Sequence, residues 1–107
     1  MFNVDVIYKI CDQKEWNLAT EKGVYKGSSD DLRDGFIHFS TFDQVTATLE
    51  KHFKNKNNLL LLKIAIDRLD QEALQWEVSR NNEKFPHLYG DLNLNAVISV
   101  EELPDNR

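Results

Sequence analysis

Three short stretches of this chain place polar side chains two residues apart: His38 and Ser40, Glu77 and Ser79, His87 and Tyr89. In an extended strand successive side chains point to opposite faces, so the members of each pair share a face. Imidazole, carboxylate, hydroxyl and phenol are the groups that move protons, bind sugar hydroxyls or phosphate, and stack on flat rings. Polar pairs on strands that should otherwise pack a core mark a candidate site. Simple amphipathicity, with these faces turned to water, explains the same pattern, and the residue types alone leave the two readings open. A lone histidine such as His38 is more often a hydrogen-bonding partner for nearby backbone. What favours a site is the recurrence of the pattern in three segments.

Other constellations are weaker. His38, His87 and Glu77 make a metal triad on paper, but no local spacing such as H-x-x-x-H supports it, and no metal is expected. A Ser-His-Asp hydrolase lacks its G-x-S-x-G elbow. The run Gly27-Ser28-Ser29-Asp30-Asp31 lacks the lysine order of a phosphate-binding loop and reads as a flexible flap with turn residues. Cys11 closes an apolar strand and reads as a small buried hydrophobe.

These groups must be held in place by the rest of the chain. Residues 5–11 (D-V-I-Y-K-I-C) read as a strand. Asp12 with Glu15 is a capping pair and Gly23 a helix stop, which predicts a helix over 13–22 with Trp16 and Ala19 inward. Residues 23–34 read as a polar loop and 35–40 (G-F-I-H-F-S) as a second strand. Thr41 and Gln44 form another capping pair, and Val45, Leu49 and Phe53 a single stripe, so a second helix is predicted over 42–54. After a turn at 55–58, the apolar run 59–66 suits a central strand buried on both faces. A connector at 67–72 leads to a strand at 74–79, a hairpin-like loop at 80–84 and an extended segment at 85–89. Pro86 should confine that last segment to an edge or a bulge. A final strand is expected over 95–103, with 104–107 as a tail. The order β-α-β-α-β followed by strands predicts an α+β fold.

Composition sets the outer limits. The chain has 107 residues, 41% hydrophobic and 29% charged, which is the range of one globular domain. Its net charge of −5 argues against duplex nucleic acid as a partner, and the lysines around His52 read as a solvated helix face. The longest apolar run, 59–62, is far too short for a membrane span. One cysteine and a start with no basic-then-apolar stretch point to a soluble, cytoplasmic protein.

The motifs I-Y-K-I at 7–10, Trp16, G-V-Y at 23–25, G-S-S at 27–29, G-F-I-H-F-S at 35–40, W-E-V-S at 76–79 and F-P-H-L-Y-G at 85–90 resemble the domain of unknown function (DUF) 952 family, small bacterial-type proteins without an assigned activity. The resemblance spans nearly the whole chain and implies a single domain over 1–104 with 105–107 as tail. That family is similar in fold to ADP-ribosyltransferases, nearest to the tRNA 2'-phosphotransferase branch. The resemblance therefore implies an ADP-ribosylation-like fold, with two N-terminal helices packed on a mostly antiparallel split β-sheet around a central cleft. It also implies NAD or another nucleotide as ligand. His38 falls on a histidine used around NAD, while Tyr8 and Lys9 occupy the region of that branch's first-strand histidine. Bond cleavage between nicotinamide and ribose needs negative charge near a developing cation. On this expectation Glu77 and His87 carry the chemistry. Tyr8, Lys9, His38, Ser40, Trp76, Ser79 and Tyr89 hold the cofactor. The alternatives are a non-catalytic nucleotide- or small-ligand-binding module and a protein-interaction domain.

Overall fold

A computed structural model describes residues 5–105 of the chain. Strand β1 (Val6–Asp12) runs directly into helix α1 (Gln13–Lys22). The Lys14 N–H donates to Asp12 Oδ1 at 2.7 Å, and the Asp12 N–H donates to Glu15 Oε1 at 3.3 Å. Gly23, at φ 82°, closes the helix in a left-handed turn that suits glycine. The capping pair and the glycine thus set both ends where the sequence put them.

The segment 23–34 is not the loop its polarity suggested. It holds a short strand β2 (Val24–Tyr25) and a six-residue helix α2 (Ser29–Asp34). Ser28 caps α2: the Asp31 N–H donates to Ser28 Oγ at 3.2 Å and the Ser28 N–H to Asp31 Oδ2 at 2.9 Å. The sole apolar side chain of α2, Leu32, is 66% exposed, so the helix has no apolar stripe to betray it. With α3 (Val45–His52) the described residues contain three α-helices rather than the two expected. The predicted helix over 42–54 is also shorter, beginning as a 3-10 turn at Phe42–Gln44.

The remaining strands are β3 (Ile37–His38), β4 (Leu59–Ala65), β5 (Leu74–Val78), β6 (Lys84–Leu88), β7 (Leu92–Asn93) and β8 (Val97–Glu102). They form antiparallel sheets ordered β1-β4-β8, β2-β7 and β3-β6-β5. β4 is central, as its apolar run predicted. Leu60, Leu62 and Ile64 join the main core with Ile7, Cys11, Ala19, Ile37 and Leu88. On the opposite face Leu59 packs with Ile10 and with Val45 of α3. Burying each of the leucine, isoleucine and valine side chains contributes roughly 1.5–3 kcal/mol. The fold is a mixed α and β architecture with antiparallel sheets.

Pro86 corrects a further expectation, because β6 is the middle strand of its sheet. Its carbonyl accepts the Phe39 N–H at 3.0 Å, just past the end of the two-residue β3. A residue's N–H and C=O point to the same side of a strand, so the missing donor falls where β3 has already ended. Beyond β3 the chain crosses to the first sheet. Tyr8 and Ser40 exchange two backbone hydrogen bonds of 2.8 Å, forming an isolated bridge. The segment 37–40 therefore ties β6 to β1 and creases the structure between two sheets.

Residues 1–4 of the expected domain and 106–107 of the expected tail lie outside the described residues. Asp105 accepts the Asn58 N–H at 3.0 Å. No helix among the described residues is long and apolar enough to cross a membrane.

Candidate functional site

The crease opens into a cavity of about 230 Å³. Six of the nine residues singled out from the sequence line it: Tyr8, Lys9, His38, Ser40, Ser79 and His87. They come from β1, β3 and its extension, and the β5–β6 hairpin. Trp76, Glu77 and Tyr89 are not in the lining. Trp76 is 38% exposed and alternates onto the opposite face of β5 from Glu77. The lining also contains residues the sequence did not single out, notably Asp31, Asp34, Thr48, His52 and Arg80.

One wall is organised by Asp31. Lys9 shares a strand face with the core residues Ile7 and Cys11, an unfavourable place for an ammonium unless it is paired. Asp31 supplies the partner: Lys9 Nζ lies 2.8 Å from Oδ2, with the two side chains only 6% and 2% exposed. The other carboxylate oxygen lies 2.6 Å from His38 Nδ1 and accepts the His38 N–H at 3.2 Å. Burial alone would raise the Asp31 pKa, but the His38 hydrogen bond and the Lys9 ammonium outweigh it, and the carboxyl lies well below its usual range. His38 Nε2 is 3.1 Å from Asp34 Oδ2. Both ring nitrogens of His38 are thus engaged by carboxylates, and a ligand that takes a hydrogen bond from Nε2 must displace Asp34. Residues 23–34 read in sequence as a polar loop and 27–31 as a flexible flap; Ser28 and Asp31 instead form a capping pair at the start of α2, with the Asp31 side chain buried.

The other wall carries His87. It pairs directly with His38 across β3 and β6, and the two ring centroids are 5.4 Å apart. Its ring stacks on Phe36 at 4.2 Å. His87 Nδ1 lies 2.8 Å from Glu77 Oε1, which also accepts the Tyr89 hydroxyl at 2.7 Å. These bonds, first from His87 and then from Tyr89, hold the Glu77 carboxyl below its ordinary range. An ionised carboxylate only accepts, so Nδ1 carries the proton and Nε2 is left with its lone pair in the neutral ring. Glu77 therefore reaches the cavity through His87 and positions it, much as a carboxylate orients an acid–base histidine in other sites. Tyr89, 46% exposed, braces this carboxylate and lies 5.1 Å from Phe36. Cys11 takes no part: it is buried, and burial pushes its thiol pKa up to about 12.

Fold and site define a mixed α and β protein with antiparallel sheets and a cleft between two of them that is lined by three histidines. Over residues 10–100 the sequence matches the model of the family described as "Protein of unknown function (DUF952)", and the chain belongs to that family. It is similar to the crystal structure of protein CC0527 from Caulobacter crescentus, with 41% identity and a TM-score of 0.88 over 92% of this chain and 86% of that one. The solution NMR structure of CC0527 is also similar, with 42% identity and a TM-score of 0.80 over 92% and 84% of the two chains. No functionally curated protein matches the sequence.

Proposed function

We propose that the cleft binds a small nucleotide-like ligand and that His87 is its acid–base group. The observation that carries this reading is the pairing of His38 and His87 at one cavity, each with Nδ1 fixed by a carboxylate. A histidine whose Nδ1 is held by Glu77 presents Nε2 in one orientation, ready to take a proton from a water or a hydroxyl. Hydroxyls of Tyr8, Ser40, Thr48 and Ser79 at the same cavity suit a sugar-phosphate. A cavity with a few convergent polar groups is the usual form of a small-ligand site.

Within this reading NAD is one candidate, by the likeness to ADP-ribosyltransferases, and the ADP-ribosylation-like fold is part of the proposal. The split between the β1 and β6 sheets supports it. Cleavage of the nicotinamide–ribose bond requires a carboxylate facing the ribose. Glu77 lies outside the lining, whereas Asp34, 35% exposed and shared between His38 and Arg33, is in it and is the carboxylate nearer the cavity. Binding without turnover is the second reading, favoured because both His38 nitrogens are already engaged.

Incubating the protein with NAD and measuring free nicotinamide by chromatography separates these. Release that disappears in His87→Ala supports transfer. Saturable binding of NAD or a mononucleotide without release supports the binding module. Absence of any nucleotide binding at millimolar concentration removes both.

A further inference from the structure

The hairpin joining β5 and β6 turns on Asn81 and Asn82, both in the left-handed region at φ 57° and φ 60°, a conformation asparagine tolerates. The turn is closed by the Ser79 N–H on the Glu83 carbonyl at 2.9 Å and the Glu83 N–H on the Arg80 carbonyl at 3.0 Å. Arg80, at the first position of this turn, folds back over the cleft and not out to solvent. Its guanidinium lies 4.9 Å from the centre of the Phe85 ring, and Nη2 donates to Thr48 Oγ1 at 2.9 Å. Nη1 is buried with no hydrogen-bond partner.

The charge arithmetic at the cleft isolates this group. Lys9 is matched by Asp31, and Arg33 by Asp30 and Asp34. Among the described residues no carboxylate forms an ion pair with Arg80. Thr48 Oγ1 lies 3.3 Å from Ser40 Oγ, so two hydroxyls stand beside the guanidinium. His52 lines the same cavity. Its pKa is lowered by burial and then by the positive charge of Arg80. A guanidinium with no ion pair among the described residues, two hydroxyls and an imidazole line the cavity together. They match the three oxygens of a phosphate monoester.

We propose that Arg80, with Ser40, Thr48 and His52, forms the subsite for the terminal phosphate of the ligand. This rests on the reading of the cleft as a small-ligand site and specifies the ligand class: a phosphate monoester whose remaining part extends toward His87. The Arg80 guanidinium and the Ser40 and Thr48 hydroxyls supply the hydrogen bonds, and the Phe85 ring lies against the guanidinium.

The test is calorimetric titration of the folded protein with inorganic phosphate, adenosine and adenosine 5'-monophosphate. Each is repeated on Arg80→Gln, Arg80→Lys and Thr48→Val, with amide spectra to establish that each variant is folded. The wild type should bind the monophosphate more tightly than adenosine and should bind phosphate saturably. Arg80→Gln should weaken the monophosphate by about tenfold or more, the scale of a lost charge-assisted hydrogen bond, and leave adenosine unchanged. Arg80→Lys should recover part of the loss, because it restores charge without the fork. Thr48→Val, which keeps the charge but removes the brace on Nη2, should weaken the monophosphate by less. Adenosine binding with no advantage for the monophosphate, or equal affinity in wild type and Arg80→Gln, overturns the phosphate subsite and leaves the cleft reading intact. Failure of every probe to bind the wild type overturns both.

Discussion

Lys9 and Asp31 are buried together in the wall of the cleft, their charged atoms 2.8 Å apart. Because Asp31 also holds His38 and caps α2 through Ser28, one carboxylate links β1, α2 and β3. Replacing it by the isosteric Asn leaves Lys9 buried without a counter-charge. Asp31→Asn should lose about 3 kcal/mol of stability at neutral pH, measured by urea unfolding. The folded-state pKa of Asp31 is depressed, so its contribution is complete above the unfolded carboxyl pKa of about 3.9 and fades as pH falls toward the folded value. The difference between wild type and variant should therefore be constant near neutrality and shrink below about pH 4.

Gly27 makes room for that carboxylate. It sits at φ 113°, and a Cβ there would stand 2.7 Å from Asp31 Cβ. Gly27→Ala combines backbone strain with a clash against a buried, fully engaged side chain. The expected cost is about 2 kcal/mol. Thermal unfolding should show it as a clear fall in Tm, and the His38 ring signals should move, since Asp31 cannot shift without disturbing them.

Glu77 is assigned a positioning role, which a structural role alone would not reproduce spectroscopically. In Glu77→Ala the neutral His87 ring should change from the Nδ1–H form to a mixture of tautomers, read from its nitrogen chemical shifts. Tyr89 offers a second readout. Accepting its hydrogen bond, the Glu77 carboxylate raises the Tyr89 pKa, because ionising the phenol would set two anions against each other. Removing Glu77 should let Tyr89 titrate at lower pH, near the ordinary value of about 10, in an ultraviolet pH titration. Unchanged behaviour of both rings would remove Glu77 from the site.

Cys11 should be chemically silent in the folded protein. Its thiol is buried, and its pKa is pushed up to about 12. A thiol reagent should label it only in denaturant, since the thiolate is the reactive form. Rapid labelling of native protein would contradict the packing of β1 against the core.

What the sequence disclosed and what it concealed divide along a physical line. Signals carried by neighbouring residues were legible. Asp12, Glu15 and Gly23 delimited α1, the run at 59–66 announced a central strand, and two-residue alternation put His38 and His87 on strand faces. Long-range partnerships were not. Helix α2 is six residues long with one exposed apolar side chain, so no periodicity exposed it, and the burial of Asp31 depends on a lysine that lies twenty-two residues earlier. Arg80 read as a loop cation because only the fold of the hairpin returns it to the cleft. Pro86 misled because its effect depends on where a neighbouring strand ends, which local sequence does not encode.

Ligand binding in the cleft is tested most directly by following the histidine ring and backbone signals by NMR while adenosine 5'-monophosphate is added. Saturable shifts are expected at His87, Ser40, Thr48 and Arg80 with one shared dissociation constant, and little change at Trp76 on the opposite face. Signals at His87 and Arg80 that stay fixed at millimolar ligand, or shifts confined to residues outside the cleft, would contradict it.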